Sequence, residues 1–190
     1  MSSIGGSNAA TELASISKDL SHVRPISGEE RQQRREKAAR LMQERGVAAL
    51  VLSASTSLYY FTGLSWYQSE RLVGAILTSS GKLIFISPAF EDSKLRETLG
   101  DQADIRLWEE DESPYALVEQ ILKDENLSGN VALDEAAPFF IADGLRQALA
   151  SHSIVNGMLI TAECRMHKSA NEIALMQAAK NITLEVQRRT

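Results

Sequence analysis

Apolar residues along the chain fall into short blocks of two kinds. Residues 47–52 form a continuous apolar run of strand length, which predicts a strand covered on both faces. Residues 71–78 and 82–86 are two more strand runs separated by Ser79-Ser80-Gly81, a hairpin signal, and Pro88 closes the second. Residues 105–108, 130–133 and 153–159 complete the strand candidates. Helical signals lie between them. Ser27 and Glu30 make a capping box that opens a helix to about Arg45, stopped by Gly46, with Ala38, Leu41 and Met42 as its packing side. Ser55-Thr56-Ser57 caps a short apolar turn, residues 58–61, ending at Gly63. Residues 90–99 read as a helix closed by Gly100. Ser113-Pro114 starts another, with Val118, Ile121 and Leu122 as its stripe, and residues 138–150 form the next. Ser169 and Glu172 cap a last helix carrying Ile173, Met176, Ala179 and Leu184. Strands alternating with helices around one hairpin predict a three-layer α/β domain, a mixed sheet flanked by helices, plus a C-terminal linker helix.

Residues 1–26 hold no sustained period and are expected to form a flexible arm. At the other end the last helix reaches Thr190 with neither Gly nor Pro to stop it, which points to a helix cut short. The 190 residues suffice for one core. Twenty Lys and Arg against 25 Asp and Glu leave a formal charge of −5, which argues against nucleic acid as a partner. The single cysteine, Cys164, excludes an internal disulfide and fits a reducing compartment. No apolar run approaches the length of a membrane-spanning helix, and the start of the chain lacks a secretory pattern. A cytoplasmic protein is expected.

Self-contained catalytic motifs are missing. The chain has no Gly-rich phosphate loop, no nucleophile elbow and no His-Glu-x-x-His run. His22, His152 and His167 are scattered. Cys164 and His167 stand three apart, but two ligands are too few for a metal. The run Glu109–Glu112 could hold a cation or simply be a solvated loop that places negative charge before a helix. Asp134 at a strand end and Asp143 beyond it are weak candidates for a carboxylate site of the RNase H kind. The mixed charges Glu29, Glu30, Arg31, Arg34, Arg35, Glu36, Lys37 and Arg40 read as a solvated helix face. Two segments are more pointed. In residues 59–71 aromatics crowd a chain that is 6% aromatic overall. Tyr59, Tyr60 and Phe61 suit the core, while Trp66 and Tyr67 suit either core or display, with Arg71 placed to clamp a carboxylate. The second segment, residues 165–173, joins the domain to the last helix.

Together these segments resemble the amino-terminal domain of the creatinase/prolidase/aminopeptidase P family of metallopeptidases. The resemblance rests on Ser57, Tyr59, Tyr60 and Gly63 in the aromatic turn, and on Arg165, Lys168, Ser169, Glu172 and Ile173 in the linker. The Xaa-Pro dipeptidase (prolidase) branch is the nearest in spacing. The resemblance implies a domain over residues 27–164, then a linker and the first helix of a catalytic domain over 165–190. It also implies a homodimer, a proline-containing dipeptide substrate, and two divalent metals (Mn, Zn or Co). Those metals are held in the family by two Asp, one His and two Glu of the catalytic domain, none of which matches a position here. Trp66, Tyr67 and Arg71 are then expected to close a second subunit's pocket. Ser69, where creatine-hydrolysing members carry an aromatic, speaks against creatine. The competing expectation is a catalytically dead peptidase-like module that binds peptides or basic proteins.

Overall fold

A computed structural model describes residues 8–15, 20–21 and 23–189; His22 and much of the expected arm lie outside these residues. The elements in chain order are α1 (Ala9–Ala14), α2 (Gly28–Glu44), β1 (Val47–Ser53), α3 (Thr56–Thr62), β2 (Gly74–Thr78) and β3 (Leu83–Pro88). A 3-10 turn (Ala89–Glu91) leads to α4 (Asp92–Leu99), β4 (Ile105–Trp108), α5 (Pro114–Asp124), β5 (Asn130–Leu133) and α6 (Phe139–Ala148). The chain closes with β6 (Ile154–Asn156), α7 (Met158–Met166) and α8 (Ala170–Arg189). Two compact units emerge: residues 29–166, and residues 1–28 with 167–190.

The larger unit is a six-stranded mixed sheet in the order β4-β3-β2-β1-β5-β6. Among the described residues β2 alone runs against the other five, pairing antiparallel with β1 and β3. The β1–β5, β5–β6 and β3–β4 pairs are parallel. All seven residues of β1 are buried. The pleat sends Leu50 and Leu52 to one face and Ala49 and Val51 to the other, so a run that looks uniform in sequence fills two cores. The first face is covered by Ala38 and Met42 of α2, Leu58 and Phe61 of α3, and Ile160 and Cys164 of α7. The second is covered by Val118, Ile121 and Leu122 of α5 and by Ile141 and Leu145 of α6. The three-layer α/β architecture follows.

Three boundaries differ from the sequence pattern. Residues 71–73 precede β2 rather than belong to it: Leu72 is buried, and its carbonyl accepts from Trp108 Nε1 at 3.2 Å instead of joining the ladder. The helix expected over 90–99 is a 3-10 turn followed by α4, since its first residues follow directly on Pro88. The strand expected over 153–159 stops at Asn156, and α7 begins two residues later. A Cβ on Gly157 would stand 2.7 Å from the Leu133 carbonyl oxygen and 2.9 Å from Leu50 Cδ1, so only glycine lets the chain turn there against β5. Asn156 Oδ1 then accepts from the Met158 amide at 2.8 Å and starts the helix.

In the smaller unit α1 lies against α8, and Asn8 Oδ1 accepts from the Thr11 amide at 3.1 Å as its cap. The expected capping box is formed: the Ser169 amide donates to Glu172 Oε2 at 2.8 Å, and the Glu172 amide donates to Ser169 Oγ at 3.1 Å.

Candidate functional site

The aromatic turn is built by caps at both ends of α3. Ser55, extended at φ −156°, accepts from the Leu58 amide through its hydroxyl at 3.2 Å. At the other end Gly63 adopts φ 83°, a conformation that strains any other residue, and its amide donates to Tyr59 O at 2.8 Å. The last carbonyls of α3 receive two cations from α2. Arg34 Nη1 donates to Tyr60 O at 2.9 Å, and Arg35 Nη1 donates to Phe61 O at 2.8 Å. The Arg34 guanidinium also lies over the Tyr60 ring, 4.0 Å from its centroid. Burial, and then the neighbouring Arg31 charge, lower the Arg35 pKa from its ordinary value. The charged face of α2 is therefore not wholly solvated, a correction to the sequence reading. Mixed signs at i,i+4 look the same whether a helix faces water or another helix's carbonyl end.

The aromatic turn meets the end of α7, where the linker segment begins. Tyr60 Oη donates to Cys164 O at 2.9 Å, and Arg165 Nη1 donates to Ser57 Oγ at 3.3 Å. Arg165 Nη1 also stands 3.8 Å from Glu135 Oε1, whose second oxygen accepts from Thr161 Oγ1 at 2.6 Å. Asp134 is buried beside them. It accepts from Ser55 Oγ and from the Ala136 amide at 3.2 Å, and burial raises its pKa above the usual carboxylate value. Its partners are the cap of α3 and its own loop, a structural assignment. Asp143 turns to its own helix, accepting from Arg146 and Gln147 at 2.7 Å each. Cys164 is 3% exposed, and burial pushes its thiol up to about 11. His152 Nε2 lies 3.3 Å from Leu127 O, and His167 is exposed. Among the described residues no group of three or more His, Cys, Asp or Glu could hold a metal ion, so the side chains present do not fit the family's metal pair.

Trp66, Tyr67 and Arg71 all lie on the loop between α3 and β2. Because β2 alone is reversed, this loop sits where β1, β3, β4 and β5 end, the edge at which open α/β sheets present ligand sites. Trp66 is half-buried against the first core, with Lys94 Nζ 4.2 Å from its ring centroid. Tyr67 is 94% exposed. Arg71 reaches the segments that follow β3 and β4. Its guanidinium lies 5.5 Å from the Phe90 ring centroid, and it grips Glu110 through Nε–Oε1 and Nη2–Oε2 bonds of 2.8 Å each. Nη1 pairs with Glu70. The sequence reading missed Lys94, Phe90 and Glu110. Glu110 belongs to the acidic run Glu109–Glu112, and only the parallel β3–β4 pairing shows which cation it meets. Phe90, 61% exposed, and Phe139, 81% exposed, follow β3 and β5 at the same edge.

The sequence model of the creatinase/prolidase N-terminal domain matches residues 34–167. The chain belongs to that family. An uncharacterized peptidase of Schizosaccharomyces pombe is 30% identical over 137 residues, covering 65% of this chain and 30% of its own length. The solved dipeptidase PepE from Mycobacterium ulcerans matches with a TM-score of 0.64 and 26% identity, over 75% of this chain and 38% of that one. The N-terminal domain of an Xaa-Pro dipeptidase from Lactobacillus brevis, at 18% identity, shares the fold with a TM-score of 0.60 over 70% of this chain and 98% of its own. This creatinase/prolidase domain thus spans under two-fifths of the length of the peptidases from Schizosaccharomyces pombe and Mycobacterium ulcerans.

Proposed function

We propose that this chain is the N-terminal, non-catalytic domain of a metal-dependent Xaa-Pro dipeptidase, where it takes part in the homodimer and caps the substrate pocket of the second subunit. The observation that carries the reading is the edge formed by Trp66, Tyr67 and Arg71. Tyr67, 94% exposed, stands four residues before Arg71 on one loop, and the Arg71 guanidinium already receives a carboxylate through two parallel bonds. A dipeptide ending in proline offers the matching pair, an apolar ring and a free carboxylate. The family match and the dipeptidase relative support the peptidase context. The two divalent metals, Mn, Zn or Co, are placed by this reading in a catalytic domain. A cytoplasmic location accords with the lone buried thiol of Cys164.

The test is Arg71→Ala in the complete dipeptidase. kcat/KM for a Leu-Pro dipeptide is expected to fall about tenfold or more, the scale of a lost charge-assisted contact, chiefly through KM. A substrate amidated at its carboxyl end should be far less affected. Unchanged constants for Leu-Pro would remove Arg71 from the pocket.

A further inference from the structure

We infer that Glu110 is an internal competitor for the carboxylate that Arg71 receives, so that substrate must displace it to bind; this rests on the pocket-capping reading above. Arg71 meets Glu110 through the Nε–Nη2 edge of its fork, both bonds at 2.8 Å. A substrate carboxylate would use that same edge for bidentate recognition. The remaining nitrogen, Nη1, is taken by Glu70, so the fork offers no idle side. Glu110 comes from a different part of the chain, the loop after β4, 39 residues from Arg71. Both side chains are accessible, Arg71 at 38% and Glu110 at 54%, so a dissolved carboxylate can reach the pair. Exposed ion pairs add little net stability, and this one can exchange partners at small cost. The hydrogen bond to Arg71, with its charge, holds the Glu110 carboxyl below the usual range, so the competitor stays ionised at neutral pH.

The consequence is a binding threshold. A ligand that brings only a carboxylate trades one bidentate contact for an equal one and gains little. A ligand that also places a ring against Trp66 and Tyr67 gains a second anchor and wins the exchange. Its apparent affinity is then lowered by the fraction of Arg71 that Glu110 leaves free. Glu110 thereby raises the threshold for every carboxylate ligand of Arg71 by the same factor, so that a second anchor is needed to reach useful affinity.

The experiment compares wild type, Glu110→Gln, Arg71→Ala and the double variant of the complete dipeptidase. KM for Leu-Pro and the inhibition constant of free proline are measured for each. Glu110→Gln should lower both constants about two- to fivefold, the scale of one exposed ion pair, and should do nothing in the Arg71→Ala background. If Arg71→Ala raises KM while Glu110→Gln leaves both constants unmoved, the competitor is overturned and the capping role stands. An equal effect of Glu110→Gln with and without Arg71 would also overturn it, as a general charge effect. If Arg71→Ala changes nothing, the capping reading falls and this inference with it.

Discussion

At Arg34, a side chain 9% exposed donates to a helix-ending carbonyl and covers an aromatic ring. Removing it takes away both the hydrogen bond to the Tyr60 carbonyl and the cation over the Tyr60 ring at the end of α3. Arg34→Ala should therefore lower unfolding stability by about 1–3 kcal/mol in a urea titration, while the exposed Arg40→Ala should stay within about 0.5 kcal/mol. Equal effects would mean that the contacts at α3 contribute nothing. Nothing in the local sequence separates these two arginines, because the deciding partner lies 26 residues on. Cys164 gives a prediction with a sign. Its folded thiol sits at about 11, raised by burial from 9.0, so an unfolded chain releases the proton first as pH rises. The Cys164 contribution to stability is intact below about pH 9 and is lost progressively between 9 and 11. Urea midpoints at pH 8 and pH 10 should differ less in Cys164→Ala than in wild type, and a thiol reagent should label the native chain only on unfolding. Rapid labelling at pH 7.5 would contradict the buried placement.

Among the elements, β6 and α7 mark where patterning reaches its limit. The strand β1, the β2–β3 hairpin and the capped starts of α3, α5 and α8 are legible because each rests on residues within a few positions: an apolar run, a Gly turn, a Ser hydroxyl. The boundary after Asn156 rests instead on Gly157 meeting Leu133 and Leu50, more than 20 residues away, so an apolar stretch that could continue as strand becomes a helix. Gly157→Ala should cost about 1–3 kcal/mol in equilibrium unfolding through that overpacking, and a stability equal to wild type would show that the turn relaxes freely. The cap of α8 should behave differently. Ser169→Ala should cost about 1 kcal/mol, and it should appear as faster amide exchange in the first turn of α8 rather than as a large shift of the unfolding of residues 29–166.

For the whole molecule, the reversed strand β2 decides the geometry. It carries Trp66, Tyr67 and Arg71 to the edge where the parallel strands end, and there Phe90, Lys94 and Glu110 join them from distant sequence. The candidate site is thus half legible in the sequence. Its aromatic and basic members lie in one segment, while the groups that surround them arrive only through the β3–β4 pairing. The aromatic turn is tied to the end of α7 by Tyr60 on the Cys164 carbonyl and by Arg165 on Ser57, so only the first residue of the linker motif meets the turn motif. The role proposed for this domain is recognition without chemistry. The deciding measurement is Leu-Pro hydrolysis with added Mn²⁺, made on the 190-residue chain alone and on the complete enzyme. Metal-dependent turnover is expected of the complete enzyme and none of the chain alone; turnover by the isolated chain, or a complete enzyme inert toward Leu-Pro, would overturn the proposed role.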